Sequence, residues 1–77
     1  MTVGVRLGGR LGAGHQRIAL PEGATVQALL AAIAGPLGLD PRGLEAAAVA
    51  LDGEVVGRRH PLRDGDEIAV ILPVAGG

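Results

Sequence analysis

Residues 25–35, with the sequence TVQALLAAIAG, contain the clearest secondary-structure signal in the chain. Four apolar residues recur there at the spacing i, i+3, i+4 and i+7, namely Val26, Leu29, Leu30 and Ile33. That spacing places the four side chains on one face of an α-helix. The Thr25 hydroxyl can accept a hydrogen bond from a backbone N–H of the first turn, and Gly35 followed by Pro36 is typical of a helix end. The sequence therefore predicts one amphipathic helix between Thr25 and Gly35.

A β-hairpin is predicted on the N-terminal side of this helix. Residues 3–7 alternate in the period-2 pattern of a half-buried strand, and residues 16–20 resume that pattern. The glycine-rich segment 8–14 interrupts it, as expected of a turn between two strands. The side chains predicted to point inward are Val3, Val5, Leu7, Ile18 and Leu20.

Shorter strands are predicted on the C-terminal side of the helix. Residues 36–43 contain two prolines and are typical of a loop. Residues 45–48 have helical propensity, but the apolar stretch that ends at Asp52-Gly53 favours a strand entering a tight turn. We predict strands over about Ala47–Leu51, near Glu54–Val56, and over Glu67–Leu72, the last one preceded by a turn at residues 64–66.

The order hairpin, helix, short strands and last strand defines an α+β fold class. A β-grasp fold satisfies this order, with a mixed sheet of four or five strands and one main helix packed across one face. We expect this domain to occupy residues 1–72, and residues 73–77 to form a flexible C-terminal tail.

The composition excludes several classes of function. The 77-residue chain has a net charge of -1 and no aromatic residue, which argues against nucleic-acid binding. It has no cysteine, so thiolate nucleophiles and thiolate metal sites are excluded. Its longest uninterrupted apolar stretch, residues 28–34, is too short to cross a membrane. We expect a cytoplasmic protein that does not associate with membranes.

The internal candidates for catalysis or cofactor binding are weak. The glycine-rich segment 8–14 lacks the spacing of a phosphate-binding loop. His15 and His60 have no second ligand at a metal-site spacing and no nearby residue arranged to form a catalytic pair. Asp64 and Asp66 could act as acids, but Asp-Gly-Asp is ordinary turn chemistry. We therefore expect no metal and no cofactor to be bound by this chain.

The C-terminus is the remaining candidate. Gly76 and Gly77 follow the last predicted strand, and a glycine tail can enter channels too narrow for a β-carbon. Arg6, Arg17 and Ile71 are predicted to face outward beside this tail, together with Ala19 and Ala69. Such a face suits partner docking, although a solvated face of small residues is an equally good interpretation of the pattern.

Two stretches near the C-terminus resemble a known family. Residues 60–70, HPLRDGDEIAV, are similar to an H-P-L-x-D-G-D-E-V block, and residues 72–77, LPVAGG, are similar to a P-V-x-G-G end. Both features belong to the MoaD/ThiS family of ubiquitin-like sulfur carriers, and the small subunit of molybdopterin synthase is the most similar member. Aromatic residues common in the first and last strands of that subunit are absent here.

The resemblance implies a β-grasp fold and a cycle run by partner enzymes. An E1-like enzyme would adenylate the Gly77 carboxylate with ATP, and a sulfur donor would convert the adenylate to a thiocarboxylate. Gly76 and Gly77 correspond to the active tail, Pro73, Val74 and Ala75 to the segment that threads into a partner, and the surface near Ile71 to the docking surface. The chain would have no catalytic site of its own.

The recipient of the sulfur is left open by the sequence. The resemblance favours the large subunit of molybdopterin synthase, and carriers of the same build serve thiamine synthesis, tRNA thiolation and cysteine synthesis. Two other interpretations are a ubiquitin-like modifier joined to target lysines through Gly77, and an interaction module whose tail is never activated.

Overall fold

The structure is a computed structural model of the chain, and it describes residues 1–9, 14–36, 38 and 44–72. Within these residues it contains one α-helix and five strands. In chain order they are β1 (Thr2–Gly9), β2 (Gly14–Ala19), α1 (Val26–Ala34), β3 (Ala48–Leu51), β4 (Glu54–Val55) and β5 (Glu67–Leu72).

The five strands form one mixed sheet in the order β2-β1-β5-β3-β4. The first and last strands, β1 and β5, run parallel to each other, and the other neighbours are antiparallel. The α+β prediction and the β-grasp arrangement are therefore confirmed. Because β5 is the middle strand, its last residue, Leu72, lies at the centre of the sheet.

One face of the sheet and the apolar face of α1 form a single buried core. Strand residues alternate, so that Val3, Val5 and Leu7 are buried on β1 while Arg6 is exposed. The largest fully buried side chains are Leu29, Ile33, Leu44, Ile68, Val3, Val5, Val26, Val49 and Val70. The predicted inward faces of α1 and β1 are confirmed, and Ile18 on β2 is only partly buried against the core.

The first turn of α1 is stabilised by its N-cap residue and by backbone hydrogen bonds from another segment of the chain. The Thr25 hydroxyl accepts a hydrogen bond from the Ala28 N–H at 3.4 Å, as predicted. The Val26 and Gln27 N–H groups donate to the carbonyls of His60 (3.0 Å) and Arg58 (2.9 Å). These bonds satisfy donors that a helix start normally leaves free, so the helix start is tied to the segment before β5.

The end of α1 differs in detail from the usual glycine cap. Gly35 occupies the C-cap position, as predicted, but its backbone is right-handed, with φ -59° and ψ -57°. A left-handed glycine occurs three residues later at Gly38, with φ +70°. The Gly38 N–H donates to the Gly35 carbonyl at 2.9 Å.

Arg58 anchors the turn that leads into β3. Its Nη2 donates to the backbone carbonyls of Leu44 (3.0 Å), Glu45 (2.9 Å) and Ala47 (3.2 Å). Residues 44–46 form a turn, and β3 begins at Ala48, one residue later than predicted. Most of the predicted loop at residues 36–43 lies outside the described residues.

The Asp-Gly-Asp turn joins the start of β5 to the start of β1. The Asp64 carboxylate accepts a hydrogen bond from the Thr2 N–H at 2.7 Å, and the Asp66 carboxylate accepts one from the Arg63 N–H at 2.8 Å. The Gly65 N–H donates to the Thr2 carbonyl at 2.8 Å. Both carboxylates therefore have a structural role in the turn, as predicted.

Candidate functional site

The sheet face opposite α1 is the first part of the candidate site, and we call it the open face. Cross-strand partners share one face of a sheet, so the pairing register assigns its members. They are His15, Arg17 and Ala19 on β2, Thr2, Gly4, Arg6 and Gly8 on β1, Glu67, Ala69 and Ile71 on β5, Ala48 and Ala50 on β3, and Val55 on β4.

The open face has small residues at its centre, and it exposes two larger apolar side chains, one on the outer strand β4 and one on β5. Val55 is 78% exposed and Ile71 is 45% exposed. Arg6 and Arg17 are also exposed, as predicted. Among the described residues, neither arginine has a carboxylate within 4.0 Å. The structure therefore brings together the predicted surface residues Arg6, Arg17 and Ile71, and their role in docking stays a prediction.

A side-chain hydrogen bond crosses the open face between β2 and β5. His15 Nε2 lies 3.1 Å from Glu67 Oε2, and both side chains are partly exposed. The Glu67 carboxylate reaches across β1 above Gly4, where a β-carbon would collide with it. We did not predict this pair, because the two residues are 52 positions apart in sequence. Only the strand register could have revealed it.

A groove of about 400 Å³ lies on the open face, at the N-terminal end of β5. It runs from β2 to the turn between β3 and β4. The residues that line it are Arg6, His15, Ala50, Asp52, Gly53, Glu67, Ile68 and Ala69. Its floor contains small alanines and its rim contains charges of both signs, so it is suited to polar side chains of a partner.

The C-terminal end of β5, next to residues 73–77, is the second part of the candidate site. Leu72 ends β5 beside Gly9, the last residue of β1. Gly9 has φ +66°, and a β-carbon there would collide with the Leu72 carbonyl oxygen. Two backbones thus approach closely where the tail begins. The Gly8-Gly9 pair at the end of a predicted strand was the available sequence signal, since glycine inside a strand pattern often marks such an approach.

The remaining predicted site residues lie outside the described residues. They are Pro73, Val74, Ala75, Gly76 and Gly77. Their predicted roles in threading and activation therefore stay predictions.

In the part of the chain that the structure describes, no group of three or more His, Asp or Glu side chains is placed to hold a metal ion. The single helix described, α1, has nine residues, and no described helix is long and apolar enough to span a bilayer.

The five-stranded mixed sheet, the helix α1 packed on one face of it and the parallel β1–β5 pair define a ubiquitin-like protein. The family model that matches is that of the ThiS family, over residues 9–77. The chain therefore belongs to the ThiS family of ubiquitin-like sulfur carriers.

Solved structures agree with this assignment, while no curated protein sequence matches the chain. SAMP1 from Haloferax volcanii, a small archaeal modifier protein, is 27% identical over 100% of both chains, with a TM-score of 0.81. A chain of the complex of subunits 1 and 2 of the molybdopterin-converting factor from Helicobacter pylori is 29% identical over 100% of both chains, with a TM-score of 0.67. A ubiquitin from Caldiarchaeum subterraneum, 18% identical over 100% of both chains with a TM-score of 0.67, shares the fold.

Proposed function

We propose that this chain carries sulfur on its C-terminus as a thiocarboxylate. An E1-like enzyme adenylates the Gly77 carboxylate with ATP and releases pyrophosphate, and sulfide supplied by a donor then displaces AMP to give the thiocarboxylate. The observation that carries this proposal is the family match, which extends over residues 9–77 and so includes the Gly76-Gly77 end.

The chemistry explains why partners are needed. A carboxylate resists nucleophiles because it is negatively charged and has no good leaving group, whereas an acyl-adenylate can release AMP. The absence of side chains at Gly76 and Gly77 leaves the reacting carbonyl accessible in a narrow active site. ATP and the sulfur donor are thus substrates of the activating enzyme, and this chain supplies the carboxylate.

The open face is the proposed docking surface for these partners. Ile71 lies on it next to the end of β5, so a partner that covers Ile71 also lies close to the start of the tail. The small residues around it, such as Gly8 and Ala48, let a partner approach the sheet closely. Arg6 and Arg17 favour a partner surface with carboxylates opposite them.

The proposed recipient of the sulfur is a molybdopterin synthase large subunit, with this chain as the small subunit. Support comes from the Helicobacter pylori structure, in which subunits 1 and 2 of the molybdopterin-converting factor form a complex. Thiamine, tRNA-thiolation and cysteine pathways remain the alternative recipients. Copurification of this chain with a large-subunit partner from its native cells would favour the first recipient.

A second function, protein modification through Gly77, has its own support. SAMP1, one of the similar structures, is a small archaeal modifier protein. All basic residues of this chain are arginines, so it offers no lysine for isopeptide-linked chains of itself. Carrier and modifier functions both begin with the same adenylate, and one chain can therefore perform both.

The carrier function is tested by intact-mass measurement of the full chain. We expect incubation with the E1-like enzyme, ATP and a sulfur donor to produce a species in which one oxygen is replaced by sulfur. Deletion of Gly77 should abolish this species, while Ala46→Ser, at an exposed position in the turn before β3, serves as a matched control that retains it. Detection of unmodified carboxylate alone, under conditions in which the enzyme activates a known carrier, would contradict the proposal.

The modifier function requires a different measurement. Arg63 is the last basic residue, so trypsin would leave residues 64–77 attached to a modified lysine. Peptides from native cells that carry this 14-residue remnant, counted from 64 to 77, would establish conjugation. If every fraction enriched for the chain lacks it while the thiocarboxylate is present, the carrier function alone is supported.

A further inference from the structure

The outer edge of β2 is a potential binding surface that is separate from the tail. This strand is the first in the sheet order, so among the described residues no strand pairs with its outer side. Five of its six residues are exposed. A strand edge of this length offers unpaired backbone groups to another chain.

The hydrogen-bond pattern shows which backbone groups point outward. Met1 and Leu20 form a hydrogen-bonded pair. The Leu20 N–H donates to the Met1 carbonyl, and the Met1 amino group donates to the Leu20 carbonyl, both at 2.8 Å. Bonded and non-bonded pairs alternate along antiparallel strands, so Ile18, Gln16 and Gly14 also bond to β1. The Gly4 N–H, which donates to Asp66 on the other side of β1, agrees with this alternation. The N–H and C=O groups of His15, Arg17 and Ala19 therefore point to the free edge.

The side chains near this edge include two exposed arginines on one side of the sheet, Arg6 and Arg17. Arg17 and His15 lie on the open face, and Arg6 is the cross-strand partner of His15. Glu67 pairs with His15, while both arginines lack a carboxylate within 4.0 Å among the described residues. On the other side of the sheet, the partly buried Ile18 provides apolar surface.

We propose that the β2 edge binds an extended acidic segment of a partner protein, which adds to the sheet as a sixth strand. Backbone bonds to His15, Arg17 and Ala19 would supply affinity, and carboxylates at alternate positions would meet the basic residues. Apolar residues at the positions between them would lie beside Ile18. This binding does not depend on activation of the tail.

Charge also disfavours a second copy of this chain as the occupant. Antiparallel pairing of two β2 edges centred on Arg17 places this arginine opposite Arg17 of the second copy. Like charges directly opposite each other destabilise a strand pair. Basic side chains at an edge are a common protection against self-association, and here they select an acidic partner.

The test uses the full chain, labelled with ¹⁵N, and the blocked peptide acetyl-Glu-Val-Glu-Val-Glu-amide. We expect the peptide to shift the amide signals of β2 and to slow hydrogen exchange at His15, Arg17 and Ala19. Arg17→Glu should raise the Kd at least roughly tenfold, by analogy with like-charge contacts at interfaces. A peptide with lysine in place of glutamate should not bind.

A second variant tests the backbone contribution. Ala19→Pro removes an N–H that points outward, so the bonds between β1 and β2 stay intact and only strand addition is blocked. Ala19→Ser keeps that N–H and is the matched control. Circular dichroism spectra should show that both variants fold.

Several outcomes would overturn the proposal. Shifts centred on Ile71 and Ala48 would place the peptide on the open face instead of the edge. Equal binding of the lysine peptide or unchanged affinity of Arg17→Glu would exclude an acidic occupant. Self-association of the free chain through β2 would show that a second copy occupies the edge. If the N–H groups of the free edge are protected from hydrogen exchange in the intact chain and lose this protection when residues 73–77 are deleted, the tail already covers the edge.

Discussion

Replacement of Gly9 by alanine should destabilise the domain at the point where the tail begins. Gly9 has φ +66°, in the left-handed region, and its α-carbon faces the Leu72 carbonyl. An alanine must therefore adopt an unfavourable backbone conformation, and its β-carbon would collide with backbone that cannot rotate away. The adjacent Gly8 provides a matched control, because a β-carbon there meets only Ile71 Cγ1 at 3.4 Å.

The expected loss follows from two contributions. A left-handed conformation costs an L-residue about 1–2 kcal/mol, partly offset by the smaller conformational entropy of unfolded alanine. Displacement of Leu72 should weaken pairing at the end of β1 and β5, worth about 1 kcal/mol for one hydrogen bond. The sum is a loss of about 2 kcal/mol, or roughly 8–16 °C in Tm for a domain of this size. Gly8→Ala should change stability by less than about 0.5 kcal/mol.

Thermal unfolding should be followed by far-ultraviolet circular dichroism, because the chain has no aromatic residue for fluorescence. Gly9→Asn separates the two contributions, since asparagine tolerates the left-handed conformation but has a β-carbon. We expect it to lose about 1 kcal/mol, roughly half the loss of alanine, because only the collision with the Leu72 carbonyl remains. If Gly9→Ala is as stable as Gly8→Ala, the close approach of Gly9 to Leu72 is not a constraint on the fold.

Two further predictions concern residues that organise the core. Leu29→Ala should lower the free energy of unfolding, measured by urea titration, by about 2–5 kcal/mol, because this side chain is 0% exposed. Gln27→Ala, on the exposed side of α1, is the control and should have little effect in the same titration. Arg58→Met keeps the apolar part of the side chain but removes bonds to three carbonyls, and we expect a loss of about 2 kcal/mol by calorimetry. The exposed Arg59→Met is its control, and equal stability of the two variants would show that the Arg58 bonds contribute nothing.

The elements of the fold were predictable because side-chain spacing reports burial. The helix, its Thr25 cap and its apolar face followed from the 3.6-residue period, and the bounds of the last strand, Glu67–Leu72, agreed with the prediction. Residues 44–47 were harder, because alanine-rich sequence fits both helix and strand. Their conformation depends on Arg58, which is 11 to 14 positions away in sequence.

The candidate site was predictable only in part. The outward positions of Arg6, Arg17 and Ile71 followed from strand alternation, since successive side chains point to opposite faces. The pair between His15 and Glu67 did not, because it requires β2, β1 and β5 to be neighbours in a particular register. No local pattern encodes that register.

The amino-acid sequence by itself determined the elements, their inward faces and the Gly76-Gly77 end, since each depends on residues close together in the chain. The family resemblance was also visible there, because it rests on contiguous residues. Only the tertiary structure decided that β5 lies at the centre of the sheet, that Gly9 lies against Leu72 at the C-terminal end of β5, and that β2 has a free edge. These features depend on the packing of strands far apart in sequence, where burial of the whole core selects one arrangement.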